Sequence, residues 1–253
     1  MRVLSIDTSS TRLSIAVLQF SDTGTVTADS TVSLNDGVRH AEQLLPAIEY
    51  MLGKAALRVS DLDLVVVAAG PGSFTGLRIG FSTAKGLLAA GAADYLAVPA
   101  ADCDAEGLSV YPGLVVPVLD ARKSRWYGAL YRGATRLTSY LDLTTEDLAQ
   151  LIEKHQQPVG ERTEPNPAPP LVTGPDARLF LSQLESHELP SAQVYRLDPR
   201  HHEGVALILA VEGRRRYLAG DRTPEEAGPD YLRMSEAEIG IHRRGQEDNA
   251  IRT

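Results

Sequence analysis

A chain of 253 residues with 43% hydrophobic and 23% charged side chains has the material for a sizeable core, as one large domain or as two lobes. Its formal charge of −8, from 25 Lys plus Arg against 33 Asp plus Glu, argues against a protein that grips nucleic acid unaided, because phosphate binding rests on clustered positive charge. The single cysteine, Cys103, excludes an internal disulfide and suits a reducing compartment.

In chain order, Val3–Ile6 and Leu13–Gln19 read as strands joined by the polar turn Asp7-Thr-Ser-Ser-Thr-Arg12, with a third strand over Gly24–Leu34. Apolar residues at Val38, Ala41, Leu45, Ile48 and Leu52 recur at helical spacing, and Asn35 and Asp36 are candidate caps. Pro46 requires that helix either to begin near it or to kink there. Leu64–Ala69 is uncharged and rich in β-branched residues, which predicts a buried strand. It runs through the loop Gly70-Pro-Gly-Ser-Phe-Thr-Gly76 into a helix from about Thr75 to Ala90, and a short strand follows near Leu96–Pro99.

The next segment repeats the opening plan. Leu114–Leu119 ends in Asp120, as the first strand ends in Asp7. The polar turn Ala121-Arg-Lys-Ser-Arg125 and a strand over Trp126–Arg132 follow. Two strand–Asp–turn–strand units suggest duplicated lobes. Thr144–His155 reads as a helix, Pro158–Pro170 as an extended loop, and Leu171-Val-Thr-Gly-Pro-Asp176 as a strand-to-helix turn. Val194–Leu197 is a candidate last strand and Glu203–Leu218 a buried helix. The expected division is a first lobe over 1–100, completed by the helix near 203–220, a second lobe over 101–202, and a disordered polar tail over 239–253.

Three places carry candidate chemistry. The first is the glycine loop, where Gly70, Gly72 and Gly76 let the backbone bend and approach another group, beside Ser73 and Thr75. Its G-x-G-x-x-x-G spacing misses the dinucleotide fingerprint by one residue, and no Gly-Lys-[Ser/Thr] is present. The second is Asp7-Thr8-Ser9-Ser10, a carboxylate and three hydroxyls at a strand end. These groups suit a Mg²⁺–phosphate site, and equally an Asx or Ser/Thr turn that satisfies its own backbone. The third is the stripe Gly76, Gly80 and Ala84, one nearly bare helix face. A glycine inside a helix costs about 1 kcal/mol relative to Ala, so close approach of a second backbone, in this chain or in another subunit, is expected to offset it.

Metal ligands are not expected. His40 has no second histidine at helical spacing, and the neighbours His201 and His202 point apart. Neither a Ser–His–Asp signature nor a G-x-S-x-G elbow occurs. Arg122, Lys123, Arg125, Trp126 and Tyr127 make a small basic-aromatic hairpin that suits RNA phosphates or plain solvent. Met1-Arg-Val-Leu-Ser-Ile-Asp7 reaches a carboxylate too soon for a signal peptide, and no apolar run approaches the roughly 20 residues of a membrane span. A cytoplasmic location without membrane contact is expected.

Taken together, Leu4-Ser-Ile-Asp-Thr-Ser-Ser10, His40-Ala-Glu-Gln-Leu-Leu-Pro46, Gly70-Pro-Gly-Ser-Phe-Thr-Gly-Leu-Arg-Ile-Gly80 and Pro229-Asp-Tyr-Leu-Arg233 resemble the TsaB (YeaZ) family over roughly residues 1–235. The resemblance implies an α/β, two-lobed actin/hexokinase/Hsp70-like (ASKHA) fold with duplicated mixed-sheet lobes. It also implies a non-catalytic subunit that works with its paralogue TsaD and the ATPase TsaE. TsaD transfers a threonylcarbamoyl group to the adenosine next to the anticodon of tRNA. The implied partners are a TsaD heterodimer, TsaE, a homodimer, and tRNA only within the complex, with no cofactor of its own. His40, Leu44, Leu45, Ile48, Gly76, Arg78, Gly80 and Ala84 are implied as the pairing surface, and Asp7, Thr8, Ser9 and Asp120 as a nucleotide-like cleft.

This sequence departs from the catalytic paralogue. Where the paralogue carries a His-x-x-x-His metal pair, Pro99-Ala-Ala-Asp-Cys-Asp-Ala-Glu-Gly107 has no histidine. Asp120 precedes bulky basic residues rather than a glycine-rich phosphate loop, and the adenosine-side glycine pair is reduced to Gly174-Pro175. Each loss removes a part that phosphoryl chemistry requires. The alternative is a weak nucleotide-binding ATPase of the same fold. A metallopeptidase would lack its ligands.

Overall fold

The computed structural model of the chain describes residues 1–35, 39–156, 168–187, 195–201 and 203–232. Asp36, Val38, residues 158–167 of the Pro-rich segment, Val194, His202, Arg233 and the tail 239–253 lie outside the described residues.

The strands β1 (Arg2–Asp7), β2 (Leu13–Phe20), β3 (Val26–Leu34), β4 (Leu64–Ala68) and β5 (Tyr95–Val98) form a five-stranded sheet in the order β3-β2-β1-β4-β5. The first three are antiparallel neighbours, with Ile6 opposite Ile15, whereas β4 and β5 add on in parallel. Alternation along β1 and β4 splits the core in two. Leu4, Ile6, Val65 and Val67 face the helices α1 (His40–Lys54) and α2 (Phe74–Ala89), meeting Leu44, Ile48 and Phe81. Val3, Leu64 and Val66 face the opposite way, onto Leu209 and Ala210.

The second half repeats that plan. Here β6 (Leu114–Asp120), β7 (Arg125–Gly128), β10 (Leu141–Thr144), β11 (Leu171–Thr173) and β12 (Arg196–Leu197) run in the order β10-β7-β6-β11-β12. Again the first three are antiparallel and the last two join in parallel. The short pair β8 (Tyr131–Arg132) and β9 (Thr135–Arg136) hangs from the start of β6. The helices α4 (Thr145–Gln156) and α5 (Ala177–Ser186) cover one face around Trp126 and Phe180, whose rings meet edge-on at 5.1 Å.

Two helices tie the halves together. α6 (Ala206–Leu218) lies on the first sheet. α3 (Ala100–Glu106) gives Ala100 and Cys103 to the core beneath α6, and Ala105 to a cluster with Val115, Ala129 and Tyr131 of the second half.

Several sequence expectations are corrected. The buried stripe of α1 is His40, Leu44, Ile48, Met51 and Leu52, so Ala41 and Leu45 point to solvent. The helix begins at His40, before Pro46, whose exposed ring leaves the Glu42 carbonyl without its intrahelical donor on the exposed side. The capping position is Arg39, whose side chain makes no capping hydrogen bond, rather than Asn35. The strand expected over Trp126–Arg132 is interrupted after Gly128, so that β7 pairs with the end of β6 and β8 with its start. The helix over Ala100–Glu106 has no sequence counterpart in the expectations, since a short run of small residues carries little helical periodicity.

Candidate functional site

The glycine loop and the Asp7–Ser10 turn fold onto each other. Ser73 N donates to Ser9 O at 2.6 Å, and Thr8 Oγ1 donates to Gly76 O at 2.7 Å. A Cβ at Gly72 would stand 2.4 Å from Ser9 O, and one at Gly76 only 2.0 Å from Thr8 O. The loop's bare backbone is therefore filled by the chain's own first turn. Gly70, at φ +121°, faces Asp230, whose N–H donates to Ala69 O at 2.8 Å. Ser73 caps α2 by accepting from Gly76 N, and Thr75 is exposed beside it.

The same geometry places most of the residues expected at the pairing surface inside the chain. Gly76, Gly80 and Ala84 are buried, and Gly80 is seated against Thr8 Oγ1 and Val67. Leu44, Ile48 and His40 are buried as well, with His40 Nε2 3.3 Å from Thr11 O. The bare stripe receives a backbone of its own chain. Of the residues expected at a partner, Leu45 and Arg78 face outward. Arg78 lies over the Phe74 ring at 4.0 Å, and its Nε donates to Tyr231 Oη at 3.1 Å. Tyr231 is itself tilted against Phe74 at 4.6 Å. The glycine block and the Pro229–Leu232 segment, far apart in sequence, thus meet at this corner.

Between the halves lies a cavity open to solvent. Asp7 and Ser9 line it from the first turn, and Asp104 from α3. Asp198 and Arg200 line it from the segment after β12, and Arg12 from the start of β2. Asp7 is held by Ser9, whose backbone N–H and hydroxyl both donate to Asp7 Oδ1, at 2.9 and 2.6 Å. Burial raises the Asp7 carboxyl above its ordinary range, against these bonds and the pull of His40. Ser10 Oγ donates to Arg12 O and accepts from Arg12 N. Ser9 and Ser10 thus bond within the turn as an Asx and Ser/Thr turn does, and the Thr8 hydroxyl is taken by the glycine loop.

Asp120 does not line this cavity. Its Oδ1 accepts from Arg122 N at 2.8 Å, its N–H donates to Asp176 Oδ2, and Arg122 shields it from outside. The turn beyond it places Arg122, Lys123 and Ser124 at positive φ of 56–64° and exposes all three. Gly174, expected as a remnant of an adenosine site, is occupied by β6, since a Cβ there would stand 2.6 Å from Val118 O.

Residues the sequence reading missed set the character of the cavity. Asp198 accepts from Thr173 Oγ1 at 2.8 Å and from Arg200 N at 3.0 Å. The Asp104 carboxyl is pushed well above its ordinary range, first by burial and then by the charges of Asp7 and Asp198, with Arg200 opposing. Asp7, Asp104, Asp198 and Glu203 thus share the lining with Arg12 and Arg200, and burial disfavours the charged form of Asp7 and Asp104. Among the described residues no group of three or more His, Cys, Asp or Glu side chains is placed to hold a metal ion. The signal available in sequence was the pair Asp102 and Asp104 inside a run of small residues.

Two sheets of one order, each a hairpin-led triplet followed by parallel strands, define a two-lobed α/β protein of the actin/hexokinase/Hsp70-like class. The sequence model of the family described as "TsaD: tRNA N6-adenosine threonylcarbamoyltransferase" matches residues 36–166, just over half of the chain, and the chain belongs to that family. Within it the resemblance is to TsaB and YeaZ. The chain is 28% identical to the tRNA threonylcarbamoyladenosine biosynthesis protein TsaB of Bacillus subtilis, over 94% of this chain and 96% of that one. It is 31% identical to the Escherichia coli protein of the same name, over 52% of this chain and 55% of that one. In fold it is similar to YeaZ from Pseudomonas aeruginosa, with a TM-score of 0.68 at 23% identity, covering 91% of this chain and 99% of that one. No helix among the described residues is long and apolar enough to cross a membrane.

Proposed function

We propose that this chain is a non-catalytic, cytoplasmic partner subunit that works with TsaD and TsaE in threonylcarbamoyl transfer to the adenosine next to the tRNA anticodon. The relatives' names support the pathway. The single observation that carries the non-catalytic reading is the closed first turn, where Thr8, Ser9 and Ser10 bond their own chain and the glycine loop holds their backbone. A phosphate would have to displace these contacts and then meet Asp7, Asp104 and Asp198.

In this reading residues 1–100 with the helix near 203–220 form one lobe and residues 101–202 the other. The pairing surface for TsaD, or for a second copy, is the outward side of α1 and α2, carrying Leu45 at 57% exposure and Arg78. The transferase assay with this chain, TsaD and TsaE should give modified tRNA only in the mixture. Leu45→Glu with Arg78→Glu should lower its rate at least tenfold while the chain still melts cooperatively. Turnover by this chain alone would overturn the reading.

The second reading, a weak ATPase, is favoured by one observation, the cavity between the two lobes where nucleotides bind in this fold class.

A further inference from the structure

On the side of α3 away from the cavity, Asp102 stands at the meeting point of both lobes. Its Oδ1 accepts from Tyr131 Oη and from Tyr140 Oη, each at 2.6 Å, and from Arg136 Nη1 at 3.3 Å. Tyr131 and Arg136 belong to β8 and β9, and Tyr140 directly precedes β10, so all three come from the second lobe. Its other oxygen, Oδ2, accepts from Arg216 Nη2 at 3.0 Å, and Arg216 sits on α6, which lies on the first sheet. Arg216 is fixed in turn by Glu212, whose Oε1 accepts from its Nε at 2.7 Å. Arg215 holds the same carboxylate through Nε and Nη2, at 2.7 and 2.6 Å. The Asp102 side chain is only 17% exposed and Glu212 only 5%.

A largely buried carboxylate with four donors from both sides makes any change of lobe angle costly. Rotation would strip donors from a charge that cannot regain water. The small-residue core under α3, with Cys103 fully buried on one side and Ala105 on the other, leaves no slack for the helix to follow one lobe alone. Lobed enzymes that close on a ligand need a few residues free to change conformation between the lobes. Here that position is cross-braced. We propose that Asp102 with Tyr131, Tyr140, Arg136 and Arg216 is a latch that fixes the angle between the lobes, so that the chain holds one shape whether or not nucleotide is present. This inference does not rest on the partner-subunit reading, and its test uses the full chain by itself.

The test is a distance distribution between spin labels on Asp29→Cys in β3 and Glu153→Cys in α4, both exposed positions in different lobes. Cys103 can stay, being fully buried. With the latch intact, one narrow distance is expected, unchanged by millimolar Mg-ATP. Asp102→Ala, and independently Tyr131→Phe with Tyr140→Phe, should at least double its width. The tyrosine pair removes two donors and keeps the packing, so it decides the matter if Asp102→Ala does not fold. An already broad distribution with the latch intact, a shift on adding Mg-ATP, or an unchanged narrow peak in folded latch variants would overturn the proposal.

Discussion

Asp102 and Asp104 are two residues apart on α3, which turns them about 200° from each other, and they meet opposite electrostatics. Burial would raise the Asp102 carboxyl, yet the phenol donors and Arg216 bring it below its ordinary range. Asp104 has no such donor among the described residues and is raised well above, first by burial. The signs follow from linkage. A depressed carboxyl contributes stability that is present above its unfolded value and lost as pH falls through its folded value. A raised one contributes stability that is present in acid and lost as pH rises through its folded value. Asp104→Asn should therefore raise the melting temperature near about pH 7.5 and lose that advantage towards about pH 4. Asp102→Asn should lower it at the higher pH, with the gap closing in acid. Thermal melts across pH check both, and an Asp104→Asn chain that melts lower at neutral pH would contradict this account of the cavity. None of this was legible in the sequence, because Asp102 and Arg216 are 114 positions apart.

At the scale of elements, α2 holds glycines of two kinds. The sequence marked Gly76 and Gly80, with Ala84, as one bare face in need of a close neighbour, and Gly86 lies further along the same helix. Tertiary packing supplies one for the first two, through Thr8 and Val67, and none for Gly86, whose surroundings are open. Gly86→Ala should accordingly stabilise the chain by about 1 kcal/mol. Gly76→Ala must push the Thr8 carbonyl aside and should destabilise it by about 3 kcal/mol. Urea unfolding separates the two, and equal effects would mean that the Thr8 contact does not set the packing of α2. The helix itself was legible from the strand and glycine loop that lead into it. The identity of its neighbour was not, since spacing along one helix reports a bare face but not what covers it.

For the whole molecule, the cavity and the latch point the same way. A ligand that binds only the folded chain raises its melting point by mass action. With the first turn's hydroxyls spent on the chain's own groups, millimolar Mg-ATP should leave the melting curve within about 1 °C, whereas a binding constant far below that concentration would shift it by several degrees. That measurement separates the partner-subunit reading from the ATPase reading without any partner present. It also leaves the latch untested, as it should, because lobe angle and ligand affinity are different quantities.

By itself the sequence determined the local alternation and spacing that make strands, helices and the repeated strand–Asp–turn unit. It also held the motifs that mark the family. These are written in neighbouring residues, where backbone sterics and side-chain periodicity act. Only the tertiary structure decided that the glycine stripe receives Thr8 of the same chain, that Asp120 turns away from the cavity while Asp104 and Asp198 enter it, and that Asp102 joins the lobes. Each of these depends on which distant groups share a desolvated space, and burial and Coulomb energy are set by that distance rather than by position along the chain.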